Sequence, residues 1–282
     1  MPPVASIPAT PAAQTPSQAA RIPRVPSAPF AAALDVYQRA ARQVRADAGA
    51  ADGPLDIFVA ERAPSPGAMA VAFGREGAIA IHPGEAAALQ TLAARTAVAG
   101  AAQLSPDEHS DLQRRSFTAL HEASHVTGPS TPEQSADTEA DWMWEEGLAS
   151  LNARRLLPAF MANSPGARPG AGTVAASPPP IGSITYSGFA QRIGELLRLT
   201  GAELDSAAFN TDIRQLAERM PWPERPEWVA RHIVSHQLKR PATAADVAAV
   251  LPYVHRYVGR FEAGTGLIEH TVRDLPNKAG GA

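Results

Sequence analysis

Three short apolar segments in the first third of the chain limit its fold more than any other feature. They span residues 55–60, 68–73 and 77–82, and the turn-forming sequences ERAPSPG and GREG separate them. Short apolar runs bounded by turn chemistry predict β-strands. The other long patterns are helical, beginning with residues 31–47 before the strands and 83–104 after them. We therefore expect an α+β fold with one small sheet.

A well-delimited helix follows, from residue 105 to residue 128. Ser105 suits the N-cap and Pro106 suits the first helical position. Glu108 stands three residues after the cap, where a capping box needs it. Gly128 is a stop signal at the other end. These signals are local and agree with one another, so the sequence predicts a single continuous helix.

This helix contains the sequence HEASH, residues 121–125. Helical residues four apart differ by about 40° in direction and about 6 Å in rise, so His121 and His125 project from one face. Their imidazole nitrogens can converge on one zinc ion. Glu122 points about 100° away from His121. It is too far round to be a ligand, but it can act as a general base on water in an open coordination position.

A catalytic zinc site needs a third protein ligand and leaves one position for water. The chain has no cysteine, so that ligand must be His, Asp or Glu. The segment WMWEEGLAS, residues 142–150 on the next predicted helix, offers Glu145 and Glu146. A short connection would make the two helices antiparallel neighbours. Gly147 costs about 1 kcal/mol relative to Ala inside a helix, so we expect it where two backbones approach closely.

The combination of HExxH with Glu-Gly-Leu-Ala on the next helix resembles the gluzincin metallopeptidases. In that family a segment such as Asn-Glu-Gly-Phe-Ala supplies the third zinc ligand through its Glu. Matching it to EEGLAS assigns this role to Glu146, 21 positions after His125. The metzincin pattern does not fit, because Thr131 stands where its third His would be.

The resemblance covers residues 55–150 and implies a zincin-like core, in which a small sheet lies beside the active-site helix. It also implies Zn²⁺ as cofactor, hydrolysis of peptide bonds, and a protein or peptide substrate. An oxyanion donor is needed as well. Tyr186 is the first candidate, because it precedes an apolar helix much as the oxyanion tyrosine does in some gluzincins. Weaker alternatives are Tyr253, His255 and Tyr257.

Several other residues invite a functional interpretation, but a structural one is favoured. His232 and His236 repeat the H-x3-H spacing, yet Ile233 replaces the base, so we expect a helix surface or a capping role. We expect Trp142 and Trp144 to be core and helix-packing residues. Glu139 and Asp141 could orient the ligand imidazoles, but solvated carboxylates are the simpler interpretation.

Composition excludes some classes of protein and favours none. The formal net charge is −3 and no basic stripe stands out, so nucleic-acid binding has little support. No run approaches the roughly 20 apolar residues of a membrane span. An interaction protein that keeps a zincin scaffold, with structural zinc or lost catalysis, is the alternative to an enzyme. A structural site would be closed by a fourth protein ligand.

The proline pattern predicts the organisation of the chain. Residues 1–30 are rich in Pro, Ala and Ser, contain no acidic residue, and predict a disordered tail. In composition this tail resembles the N-termini of type III secreted effectors, and it lacks a signal peptide. We therefore expect a cytoplasmic protein or one exported by a type III-like route.

The remaining boundaries follow from the helical patterns and their breaks. The helix that carries Glu146 is expected to begin at Thr131 and to end at Pro158. The predicted parts are a catalytic core (31–157), a Pro/Gly-rich linker (158–182), a helical C-terminal part (183–275) and a polar tail (276–282). Within the C-terminal part we expect helices at about 187–200, 205–220, 226–239 and 243–262.

Overall fold

The structure is a computed structural model. It describes residues 18–50, 54–65, 67–99, 104–128, 139–164, 178–184, 186–259 and 264–275. Over these ranges the chain forms nine α-helices and one small mixed sheet, so the predicted α+β class is confirmed. None of the helices that can be described is long and apolar enough to cross a lipid bilayer.

The three predicted strands are present as β1 (Asp56–Val59), β2 (Ala70–Phe73) and β3 (Ala78–Ile81). Their order in the sheet is β1-β3-β2, with β3 parallel to β1 and antiparallel to β2. All four residues of β3 are buried, because both faces of the sheet are covered. The strand β2 pairs only with β3 and is therefore an edge of this sheet.

The second face of the sheet is covered by residues 18–30, so the predicted tail is too long. Ala19 is buried, and its backbone N–H donates to the Glu76 carboxylate. Arg24 forms an ion pair with Asp56 on β1. The sequence pattern did not predict this packing, because backbone hydrogen bonds and individual side chains hold the segment against the sheet. Neither produces the periodic apolar pattern that marks a helix or strand.

The helices of the predicted core are α1 (Ala31–Ala48), α2 (Pro83–Ala99), α3 (Pro106–Thr127) and α4 (Glu139–Ala162). The capping box of α3 is confirmed. The Glu108 N–H donates to Ser105 Oγ over 3.3 Å, and the Ser105 N–H donates to the Glu108 carboxylate over 2.9 Å. Gly128 caps the other end of α3, as predicted.

The helix α4 continues through Pro158, so the linker predicted from residue 158 begins too early. A proline inside a helix removes one backbone hydrogen bond and costs about 3 kcal/mol. Leu157 and Phe160, on either side of it, are almost fully buried. Each buried side chain of this size contributes about 1.5–3 kcal/mol, which is enough to offset the proline.

The C-terminal helices are α5 (Ser187–Leu199), α6 (Ala207–Arg214), α7 (Arg225–Leu238), α8 (Ala244–Gly259) and α9 (Gly266–Asp274). A π-helical turn, Gln215–Arg219, extends α6. The first four helices were predicted and α9 was not, because it is short and buries only Ile268 and Val272. These helices share one continuous hydrophobic core with α1–α4.

The helix α3 is the centre of the arrangement, since it packs against α1, α4 and the edge strand β2. The turn after β2 approaches the end of α3 very closely. A Cβ atom on Gly74 would lie 2.7 Å from the carbonyl oxygen of His125, which is shorter than any normal contact. A glycine at this position therefore lets the sheet lie directly against the HEASH motif.

Some predictions fall on residues outside the described ranges. These are the tail over residues 1–17, the cap at Thr131, most of the linker (165–177) and the C-terminal tail (276–282).

Candidate metal centre

Two helices bring three potential ligand side chains to one point. The helix α3 contributes His121 and His125, and α4 contributes Glu146. His121 Nε2 lies 3.0 Å from Glu146 Oε2 and 3.2 Å from His125 Nε2. The third separation, from His125 Nε2 to Glu146 Oε2, is 3.5 Å.

These three separations fit a zinc ion. Ligand atoms about 2.0–2.2 Å from a tetrahedral zinc ion lie roughly 3.3 Å from one another. The observed distances lie on both sides of that value, so small side-chain rotations suffice to seat the ion. Across the part of the chain that the structure describes, no other group of three such side chains is this compact. The predicted ligand set is therefore brought together as the sequence suggests.

The outer nitrogen of each imidazole has its own partner. Ser150 Oγ lies 3.2 Å from His121 Nδ1, and Glu145 Oε1 lies 3.1 Å from His125 Nδ1. Both Nε2 atoms are consequently turned towards Glu146. The sequence reasoning missed Ser150, although its position one helical turn after Glu146 was a signal that could have found it.

Glu145 and Glu146 face opposite sides of the cluster. The Glu146 carboxylate lies between the two Nε2 atoms. Glu145 lies behind His125, where its second oxygen accepts hydrogen bonds from Trp222 and Arg225. Two neighbouring helical residues differ by about 100°, so only one of them can reach the shared point.

Burial and charge act against each other in this cluster. Burial raises the pKa of Glu146, but hydrogen bonds from His121 and His125 outweigh it and hold that pKa at about 2. Burial likewise lowers the pKa of His125, yet hydrogen bonds to Glu145 and Glu146 raise it well above its ordinary value. At neutral pH the Glu146 carboxylate is thus anionic, which is the form that binds metal ions.

Glu122 lies between the cluster and the sheet. Burial raises the pKa of Glu122, whereas the neighbouring histidines and the backbone N–H of Ala72, on the edge strand β2, act to lower it. A buried carboxylate with a raised pKa is suited to accepting and releasing a proton.

Tyr186 borders the cluster at the start of α5. Its ring stacks on the His121 imidazole, with centroids 5.6 Å apart, and 38% of the residue is exposed. Burial, together with the carboxylates of Glu146 and Glu122, raises the pKa of Tyr186 to about 12. Its phenol therefore remains a neutral hydrogen-bond donor at physiological pH.

Trp142 extends this aromatic surface away from the histidines. It is 41% exposed and packs edge-on against Tyr186 and Phe189, so it is a helix-packing residue, as predicted, but its predicted place in the core is wrong. Trp144 is buried, as predicted. Trp142 lies one helical turn before Glu146, on the part of α4 that faces α5 and solvent.

Gly147 does mark a close approach of two helices, but the partner helix differs from the expected one. A Cβ atom there would lie 2.7 Å from Ile193 Cδ1 and 3.0 Å from the carbonyl carbon of Phe189. Both residues belong to α5 and neither belongs to α3. Gly147 therefore brings α5, and Tyr186 at its start, onto α4 beside the cluster of His121, His125 and Glu146.

The weaker oxyanion candidates have other partners. Tyr257 donates its hydroxyl hydrogen bond to Glu195, and Arg256 lies over the ring of Tyr253. Burial lowers the pKa of His255, which Asp141 opposes, so Asp141 acts on this histidine. The side chain of Glu139 lies outside the described part of the structure.

Comparison with known proteins found no protein-family model, no curated protein and no solved structure that matches this chain.

Proposed function

We propose that this protein is a zinc-dependent metallopeptidase, with His121, His125 and Glu146 as the zinc ligands. The observation that carries the proposal is the set of three ligand separations, between 3.0 and 3.5 Å. They lie close to the roughly 3.3 Å that separates the ligand atoms of a tetrahedral zinc site. A bound zinc ion would act as a Lewis acid and lower the pKa of water in the fourth position to about 7.

Glu122 is the general base in this proposal. Its carboxylate takes a proton from the attacking water and returns it to the nitrogen of the leaving amine. The position of Glu122 beside His121 and His125 supports this role, since both imidazoles act on the pKa of its carboxylate. Burial supports it as well, because a raised pKa makes the carboxylate a better proton acceptor.

Tyr186 is the proposed donor to the oxyanion that develops on the scissile carbonyl. The stacking of its ring on His121 and its partial exposure support this role, because substrate can reach it from solvent. In Tyr186→Phe we expect kcat to fall about 100- to 1,000-fold, since one oxyanion donor is lost. Zinc affinity, measured by titration against a competing chelator, should stay unchanged.

A zincin-like core is part of the same proposal. Gluzincins have a small sheet beside the helix that carries the motif, and here β2 packs against α3. The backbone N–H of Ala72 on this strand acts on the pKa of the proposed base, Glu122. An edge strand has free backbone donors and acceptors, so a peptide in extended conformation is the substrate class that suits this side of the cluster.

The function is tested with zinc-loaded and metal-free protein incubated with a denatured protein and a peptide library. We expect cleavage by the zinc-loaded form, loss of cleavage with a chelator, and recovery when zinc returns. Bound zinc without chelator-sensitive cleavage would favour the scaffold with lost catalysis. Failure to bind zinc at all would overturn the metal centre.

The third ligand is tested with two adjacent variants. Glu146→Ala should lose most zinc affinity and all cleavage, because two histidines hold zinc poorly. Glu145→Ala should keep a measurable site, weakened by about 10- to 100-fold. If Glu145→Ala loses more zinc affinity than Glu146→Ala, Glu145 is the third ligand and Glu146 is its neighbour behind the site.

A further inference from the structure

We infer that Arg225 and Trp222, which lie far from the motif in sequence, position the ligand His125 through Glu145. The inference rests on the proposed function, because it treats His125 as a zinc ligand. The contacts form a chain of side chains. His125 Nδ1 lies 3.1 Å from Glu145 Oε1, and Glu145 Oε2 accepts hydrogen bonds from both Arg225 and Trp222.

Arg225 is a hydrogen-bond donor whose side chain is held in one position. Only 2% of the residue is exposed, and its guanidinium is bound on three sides. Besides Glu145, it donates to the carbonyl oxygens of Met220 over 3.2 Å and Ala217 over 3.4 Å. Those two bonds fix the guanidinium to the backbone before α7, so it cannot follow Glu145 if that carboxylate moves. The direction of the Glu145 carboxylate is therefore set from outside α3 and α4.

The position of Glu145 determines which ring nitrogen of His125 carries the proton. Glu145 offers only acceptor oxygens to Nδ1, so the proton of the metal-bound imidazole must lie on Nδ1. The Nε2 lone pair is then free, and it faces His121 Nε2 and Glu146. Carboxylates behind ligand histidines have this effect in metal sites generally.

The two ligand histidines differ in how firmly they are held. His121 has a neutral hydroxyl, Ser150 Oγ, behind it on α4. His125 has a carboxylate that is itself held by a buried cation from another part of the chain. The segment before α7 also touches the end of α3, because a Cβ atom on Gly128 would lie 3.0 Å from the Ala217 carbonyl oxygen. The C-terminal helices thus contribute to the metal site, and they do so through His125.

The test measures zinc affinity by chelator competition in variants of the full chain. Arg225→Met should weaken binding by about 10- to 100-fold. Trp222→Phe should weaken it by less, because the charged donor to Glu145, the Arg225 guanidinium, remains. Arg154→Met is the matched control. Arg154 is also buried and bound to a carboxylate and a carbonyl oxygen, those of Asp205 and Pro179, and neither touches a ligand. The control variant should leave zinc affinity unchanged.

A second measurement separates positioning from a general loss of stability. In the zinc-loaded protein, nitrogen-detected NMR should show the proton of His125 on Nδ1 and its Nε2 bound to the metal. Arg225→Met should shift the His125 Nδ1 signal or speed its proton exchange, with the His121 signals nearly unchanged. A structural role alone would alter both histidines or neither.

The double variant Arg225→Met/Glu145→Gln guards against misfolding, because it leaves no unpaired buried carboxylate. It should fold and still bind zinc less tightly than the wild type. If Arg225→Met or this double variant binds zinc as tightly as the wild type, with an unchanged His125 signal, the inference is wrong and the proposed function stands. If the wild type binds no zinc, the proposed function itself fails.

Discussion

His121 and His125 on α3 stand four residues apart, and so do His232 and His236 on α7. In the first pair both Nε2 atoms face the carboxylate of Glu146, from a different helix. Their Nδ1 atoms have outer partners. The ring nitrogens of this pair are therefore directed at one another and at an anion, which is unfavourable for neutral imidazoles unless a proton or a metal ion lies between them.

The second pair has packing partners instead. His232 stacks on the indole of Trp228, with centroids 3.7 Å apart, and its Nδ1–H donates to the Trp228 carbonyl oxygen over 2.8 Å. The ring of His236 lies against Gly201, where a Cβ atom would be only 2.3 Å from its Cε1 atom. The residue after His232 is Ile233, which is fully buried in the core.

The comparison shows what the H-x3-H spacing does and does not specify. On any helix it puts two imidazoles on one face. A metal centre also needs a carboxylate from a second helix and, for hydrolysis, a base beside the first histidine. The first pair has Glu146 and Glu122 in these positions. The second pair uses its rings for packing, which agrees with the structural role that the sequence favours.

The largest expected difference between the pairs is in metal binding. Loss of an outer partner alone typically costs about 10- to 100-fold in affinity. His125→Ala removes one of the three proposed ligands, so it should weaken zinc binding more than about 100-fold and end all cleavage. His236→Ala is the matched variant and should keep wild-type zinc affinity. Chelator competition on both variants measures this difference in zinc affinity. Loss of zinc in His236→Ala would show that the metal binds at the second pair.

The next effect concerns the base, which the second pair lacks. Glu122→Gln should lower kcat by about 100- to 10,000-fold, because proton transfer from the attacking water is lost. Zinc affinity should stay close to that of the wild type, since Glu122 is not among the three ligands. Loss of zinc in this variant would make Glu122 a ligand and would contradict the proposed mechanism.

Each pair has a glycine packed against its second histidine, and the two glycines should behave differently. Gly74→Ala presses on the backbone carbonyl of His125, so it should lower stability by about 1–3 kcal/mol and weaken zinc binding as α3 shifts. Gly201→Ala presses on the His236 ring at a φ of +91°, and should cost a similar amount of stability. It should leave zinc affinity unchanged. Thermal unfolding with and without zinc measures both effects.

Behind the first pair lies a buried ionic network. Arg155 pairs with both Asp47 and Glu218. Asn152 donates to Glu218 over 3.0 Å and to Ser124, which lies between His121 and His125 in sequence, over 3.0 Å. Burial raises the pKa of Glu218 to about 7, against the effect of Arg155 and with the support of Asp47.

This network predicts the smallest effect, a pH dependence of stability. The folded protein holds the Glu218 proton more tightly than the unfolded chain. Stability should therefore fall as pH rises from about 4.5 to about 7, by about 1–3 kcal/mol. Glu218→Gln should flatten that slope in denaturant unfolding curves. Glu227→Gln, at the exposed pair with Arg231, should leave it unchanged. If Glu218→Gln shows the same slope of stability against pH as the wild type, other groups cause the pH dependence.

The local signals of the sequence determined the elements around the site. The capping box at Ser105, the stop at Gly128 and the apolar runs of the three strands are all confirmed. Such signals act between residues close in sequence, so they can be interpreted without knowing the fold. The HEASH spacing also determined that His121 and His125 share a face.

The tertiary structure decided which distant groups meet those elements. The choice between Glu145 and Glu146 depends on how α4 is rotated about its axis, and that rotation follows from packing against both α3 and α5. The partner of Gly147 is α5 for the same reason. The exposure of Trp142 was also decided there, because a tryptophan on an apolar helix can equally well face a core or border an open site.

Other outcomes depended on contacts that leave no periodic trace in the sequence. Residues 18–30 lie against the sheet through backbone hydrogen bonds and the Arg24–Asp56 pair. The helix α4 runs through Pro158 because buried neighbours offset its cost. Arg225 reaches Glu145 across 80 residues of chain. The sequence therefore determined which residues could form a metal site. Only the packing of separate helices, which depends on side-chain shape across the whole core, decided how they are held.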